Sequence, residues 1–250
     1  MTETEIKTIV ENQRAFFRTG RTLDVSWRLE QLRKLKAAVR AHEKELLDAL
    51  AADLGRSEAE AYFCDVGSVY LELNETLRGL RRWARPETHF SGFTCFPSLV
   101  TRVYKMPYGV TLIVSPFNFP VLLSLGVLIA ALGGGNTAVI KASSKSPACT
   151  ALIKRIVAET FPPEYITVVD GGHDAADLFL GDNQASGRPK KHLRVQLGRN
   201  RVQGCVQYVG RAVEGDDIVV FGLGEKIGYL GSTDRHDGPA HLDEEAFAPR

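Results

Sequence analysis

Cysteine is scarce in this 250-residue chain: Cys64, Cys95, Cys149 and Cys205 are scattered, with no CxxC pair among them. Such spacing argues against a disulfide framework or a zinc site and fits a reducing compartment. Long apolar runs are missing as well. The best candidate, 121–132, falls well short of the ~20 residues that span a bilayer. Charge of one sign is also lacking. With 31 basic against 30 acidic side chains the net charge is +1, which excludes a dedicated nucleic-acid or polybasic membrane surface. The opening MTETEIKTIVENQR has no basic stretch ahead of an apolar one, so no secretory leader is expected and a cytoplasmic location is. Apolar residues nevertheless make up 44% of the chain, enough for a packed core.

Four stretches differ in pattern. The first, 1–88, reads as helical: Leu29, Leu32, Leu35, Val39, Leu46, Leu47, Leu50 and Leu54 recur at three- and four-residue steps, the stripe of an amphipathic helix. Gly55 follows as a C-cap, and a second helical segment runs from Glu58 towards Leu80, stopped by Arg85-Pro86. The second stretch, 89–106, holds Phe90, Phe93, Phe96 and the alternating SLVTRVYK. It reads as extended chain standing off the main body, suited to core packing or to bridging subunits.

The third stretch, 107–178, is the most informative. VTLIVS (110–115), TAVIK (137–141) and ITVVD (166–170) are continuous apolar runs of the buried parallel-strand kind. An apolar helix over about 121–132 and another over about 147–160 lie between them. Strand–helix–strand–helix–strand with short connections is the pattern of an α/β parallel sheet, whose ligands bind beyond the carboxyl ends of the strands. The loops 115–120 and 141–147 are therefore the places for a site. Gly133, Gly134 and Gly135 precede a strand and do not open a helix, so they read as a helix C-terminal turn and not as a phosphate cradle.

From PYGVTLIVSPFNFP through GGGNTAVIKASSKSP to EYITVVDGG, this region resembles the aldehyde dehydrogenase superfamily. The lead-in FFRTGRTLDVSWRLEQLRKLKAAVRAHEKELLDALAADLGRSEAEAYFCDVG resembles its shorter, class-3-like (fatty-aldehyde) branch, and together the two cover about residues 10–178. The resemblance implies N-terminal helices with a partial Rossmann-like parallel sheet, a dinucleotide cofactor (NAD or NADP), a small aldehyde substrate, no metal, and a homodimer in the intact family member. It implies oxidation of the aldehyde to a carboxylic acid. SPFNFP puts Asn118 where the family's PWN loop supplies an oxyanion-hole amide, with Phe117 in place of Trp. A neutral amide suits that task, because it donates to a developing alkoxide without titrating. The resemblance assigns Ser115, Pro116, Phe117, Lys141 and Ser144 to the cofactor side, Lys141 at the adenosine ribose. KASS carries Ser144 where the family's KPSE-type motif has Glu, which removes a carboxylate that would repel a 2′-phosphate.

The fourth stretch, 179–250, departs from this pattern. It holds nearly half of the 23 glycines, and its charges are mostly basic from Arg188 to Arg211 and mostly acidic from Glu214 to Glu245. Only 201–209 and 217–222 look strand-like, and the rest reads as an irregular tail. The family's TGSxxxG, LELGG and GQxC motifs are not recognisable in it: FGLGEK puts Gly222 in the Glu slot, and none of the four cysteines has the nucleophile's setting. His236, Asp237 and His241 are better read as solvated than as metal ligands. The abrupt change near Leu178 suggests a frame shift, with genuine divergence as the alternative. Two functions stay open: an NAD(P)-dependent aldehyde dehydrogenase truncated before its catalytic cysteine, or a catalytically inactive dinucleotide-binding or subunit-interaction fragment.

Overall fold

The computed structural model describes residues 2–90, 92 and 100–169, and the backbone of strand segments 198–202, 205–211 and 218–222. Helix α1 (Glu3–Arg18) opens with a capping box between Thr2 and Glu5. It is followed by α2 (Val25–Ala41), capped by Asp24, and α3 (Glu43–Leu54), closed by Gly55 in the left-handed region. The long leucine stripe is therefore carried by two helices. The break falls at His42, whose ring sits between Glu45 and Glu159 at 2.9 and 3.2 Å. The next helical segment comprises α4 (Glu58–Ala61), a π turn (Tyr62–Val66) and α5 (Gly67–Trp83).

Strands β1 (Glu87–Phe90) and β2 (Val100–Val103) pair antiparallel as a separate two-stranded ribbon, exposed along its length. Phe90 is 79% exposed, so the core alternative is excluded for this residue. Phe93, Phe96 and Cys95 lie outside the described residues. The main sheet contains β3 (Val110–Val114), β4 (Thr137–Lys141) and β5 (Ile166–Val169), mutually parallel. Between β3 and β4 a π turn (Leu122–Gly126) leads into α6 (Val127–Gly134), and α7 (Pro147–Thr160) joins β4 to β5. The apolar segment expected as one helix over 121–132 thus starts as a wide turn. Three further strands, β6 (Gly198–Val202), β7 (Cys205–Arg211) and β8 (Ile218–Gly222), complete the order β5-β4-β3-β8-β7-β6. The run 217–222 corresponds to β8, whereas the run 201–209 is divided between β6 and β7, which pair antiparallel. The remaining residues of the tail, with Gly171-Gly172 and the His236–His241 cluster, lie outside the described residues.

Both faces of β3–β5 are covered, which is why their sequences are continuously apolar. Ile6 and Val10 of α1 pack on Val110, Leu112, Val139 and Val169. The opposite face, with Ile113, Ala138 and Ile140, lies against the larger core built from α2, α3, α5, α6 and α7. Two polar side chains fasten the layers: Gln13 Nε2 donates to the Ala138 carbonyl at 2.8 Å, and Asn136 Oδ1 accepts from the N–H groups of Tyr108 and Gly109. Gly135 ends α6 with φ of 86°, so the triple glycine is the helix C-terminal turn that its position before a strand implies. Among the described residues, no helix is long and apolar enough to cross a membrane.

Candidate active site

Strands β3 and β4 run in parallel register, Val114 opposite Lys141, and deliver their following loops to one carboxyl edge. The Ser115 N–H donates to the Lys141 carbonyl at 3.0 Å, so pairing continues one residue past β3 and the two loops leave side by side. The resemblance's residues fall into these two loops. Ser115 is buried and Pro116 half-buried, while Phe117 and Asn118 are exposed. The Lys145 ammonium stands 5.2 Å from the Phe117 ring centroid and links the loops by a cation–π contact.

Lys141 is the unusual group. Alternation along β4 places it on the face of Val139, and only 6% of the residue is accessible. Desolvation holds its ammonium below the usual lysine range, and no ion pair within the described residues offsets that. A largely enclosed lysine at the carboxyl edge of a parallel sheet fits a polar or anionic ligand. Ser144 is exposed at the tip of a turn closed by the Ser143 carbonyl, which accepts from Ser146 N–H at 3.4 Å and from Thr150 Oγ1 at 2.9 Å.

The N-terminus of α7 faces a different partner. Asp53 of α3 accepts the N–H groups of Ala148 and Cys149 at 3.1 and 2.8 Å. That carboxylate fills the place a phosphate would take. Cys149 itself is 0% exposed, and burial pushes its thiol well above the ordinary range, which suits packing and not nucleophilic attack. Cys64 lies in the first π turn and is half-buried.

Two residues of this site escaped the sequence reading. Arg56 donates from Nη2 to the Asn118 carbonyl at 2.6 Å and pairs through Nη1 with Asp65 Oδ2. Asp65 Oδ1 accepts the Leu122 N–H at 2.8 Å. The signal was present in the sequence: Asp65 interrupts the otherwise apolar series Ala61, Val66, Val69 and Leu73.

A doubly covered parallel sheet with two polar loops at one carboxyl edge defines an α/β domain of the ligand-binding kind. The aldehyde dehydrogenase family model matches residues 1–186, and the chain belongs to that family. Its curated relatives include 4,4′-diaponeurosporen-aldehyde dehydrogenase of Staphylococcus aureus, 38% identical over 169 residues, which are 68% of this chain and 37% of that protein. Aldehyde dehydrogenase family 3 member I1 of Arabidopsis thaliana is 33% identical over 67% of this chain and 30% of its own length. Among solved structures, the substrate-bound state of Staphylococcus aureus AldH superposes with a TM-score of 0.67 at 37% identity, covering 69% of this chain and 37% of that one. An NAD-dependent aldehyde dehydrogenase from Sinorhizobium meliloti shares the fold, with a TM-score of 0.62 at 22% identity over 72% of this chain and 36% of that one. The chain thus spans about a third of the length of these relatives.

Proposed function

We propose that this chain carries the oxyanion-donor loop and the adenosine side of the cofactor site of an NAD(P)-dependent aldehyde dehydrogenase, which oxidises an aldehyde to a carboxylic acid. The observation that carries the reading is the Ser115–Lys141 hydrogen bond, which brings the Asn118 and Lys141 loops together at one carboxyl edge. In this reading the exposed Asn118 amide donates to the oxygen of the aldehyde as it becomes an alkoxide. Lys141 holds the ribose hydroxyls of the adenosine, and its ammonium gains a polar partner that it lacks among the described residues. Ser115, Pro116 and Phe117 form the wall between cofactor and substrate. The dinucleotide, when bound, supplies the hydride acceptor. With Ser144 in place of an acidic residue, both NAD and NADP are accepted.

The domain reading follows the same lines: a helical N-terminal segment, a ribbon from Glu87 to about residue 106 that meets a second subunit, and a cofactor sheet that begins at β3 and takes in strands of the tail, in a cytoplasmic protein. A specific observation favours the second reading, a dinucleotide-binding polypeptide without turnover. Of the two cysteines whose side chains are described, Cys149 is buried in the core with its thiol pushed up by desolvation, and Cys64 sits half-buried in the first π turn. One pair of measurements on the full chain separates the two. Titration calorimetry with NAD and NADP reports binding, and absorbance at 340 nm with a long-chain aldehyde reports turnover. Turnover abolished by Asn118→Ala supports the dehydrogenase; binding without turnover supports the fragment; neither, in a folded chain, removes both.

A further inference from the structure

Arg56 and Asp65 lie in the lead-in LGRSEAEAYFCDVG, where the resemblance assigns no site residue, yet the pair holds the Asn118 loop at two points. Arg56 follows the left-handed Gly55 in the short link between α3 and α4. Its side chain is 12% exposed and that of Asp65 is 0% exposed, so the pair is largely withdrawn from solvent. One guanidinium nitrogen binds the Asp65 carboxylate and another binds the Asn118 carbonyl, while the guanidinium carbon lies 4.7 Å from the Phe119 ring centroid. Nε is 3.8 Å from Glu60. The second oxygen of Asp65 takes the N–H of Leu122, where the second π turn begins. One ion pair thus fixes a carbonyl of the loop and the first amide of the π turn that follows, and it joins the π turns of two helices.

We propose that Arg56, held by Asp65, is a positioning residue for the Asn118 side chain. The inference rests on the oxyanion-donor reading of Asn118. A carbonyl fastened towards Arg56 sets the plane of the 118–119 peptide, and so limits the direction in which the Asn118 Cα–Cβ bond leaves. Asn118 is exposed, and nothing among the described residues engages its side-chain amide. Charge-assisted bonds in a protected site hold such a plane more firmly than neutral ones, and donors that are misplaced by an ångström lose much of their effect. Two π turns at one junction fit the same reading, because such turns recur where helices are bent to serve a site.

The test uses the full chain with Arg56→Met, which keeps length and loses the donors, and Arg56→Lys, which keeps the charge but not the fork. Hydrogen exchange is followed across residues 115–123, the Asn118 side-chain amide is observed by 15N NMR, and urea unfolding monitors the whole. In Arg56→Met, exchange of the loop rises by about tenfold or more while β3 and β4 keep their protection, and the Asn118 amide resonances move or broaden. Arg56→Lys falls between the two and serves alone if Arg56→Met does not fold. Where the wild type turns over aldehyde, Arg56→Met lowers kcat and leaves the cofactor KM unchanged. Asn118→Ala then costs less in the Arg56→Met background than it does in the wild type. Loop exchange and Asn118 resonances that match the wild type in a folded variant overturn the proposal. A wild type that neither binds cofactor nor turns over removes the oxyanion reading instead, and the exchange data still decide whether Arg56 orders the loop.

Discussion

Asp53 does its work without touching a ligand. Its carboxylate satisfies two of the orphan N–H groups of α7 and meets the positive end of that helix dipole. Asp53→Ala should cost about 1–2 kcal/mol in urea unfolding, the usual loss for such a cap. It should also open Cys149 to alkylation. In the native wild type the Cys149 peptide stays unmodified by iodoacetamide, and modification at a rate equal to the unfolded chain would refute its burial. Asp65 gives a pH signature. Burial raises its carboxyl above the ordinary range, and the Leu122 N–H and Arg56 oppose that only in part. The native state therefore binds the proton more tightly than the unfolded chain. This contribution to stability is present below the unfolded carboxyl pKa of about 3.9 and is lost as pH rises through the native value. Asp65→Asn should flatten the fall in unfolding free energy measured upward from about pH 4, relative to wild type. An identical slope in both would mean that Asp65 titrates as it does in the unfolded chain.

At the scale of elements, periodicity revealed most of the architecture. Strand β4 and helix α7 fall on their expected spans, β3 ends one residue early, and β5 is described over Ile166–Val169 of its expected 166–170. What stayed hidden is what hydropathy does not encode. The bend at His42 leaves the leucine stripe intact, since Val39 and Leu46 are two helical turns apart and face the same core. The π turns add a residue to a turn without changing composition, and the bridge from Arg56 to Asn118 spans 62 positions in sequence. For the site, the loops were legible from strand ends, whereas the roles of Asn118 and Lys141 came from family likeness and not from pattern. Gly135 tests the element scale directly. Its φ of 86° strains any other residue, and a Cβ there would meet the Arg28 guanidinium at 2.7 Å. Arg28 is itself occupied with the carbonyls of Thr22, Leu23 and Gly133. Gly135→Ala should therefore lose at least the ~1 kcal/mol of a left-handed alanine, and more from the displaced arginine, as a lower urea midpoint. A midpoint equal to wild type would show that α6 ends in some other conformation.

For the molecule as a whole, the sheet gathers two loops at one edge and buries a lysine there. Ser144 bears on cofactor choice. A carboxylate about 4 Å from a 2′-phosphate would cost around 4 kcal/mol at an effective dielectric of 20, and less where water enters. Ser144→Glu should therefore weaken NADP several-fold and leave NAD nearly unchanged, as measured by calorimetry. Equal losses for both would place Ser144 away from the ribose. The most direct measurement is calorimetric titration of NADP into the full chain, compared with Lys141→Met and Asn118→Ala. We expect saturable binding in the wild type, weakened about tenfold or more by Lys141→Met, or ~1.4 kcal/mol, and little altered by Asn118→Ala. Absence of binding to a folded wild type, or equal affinity in Lys141→Met, would contradict the assignment of this edge to the cofactor.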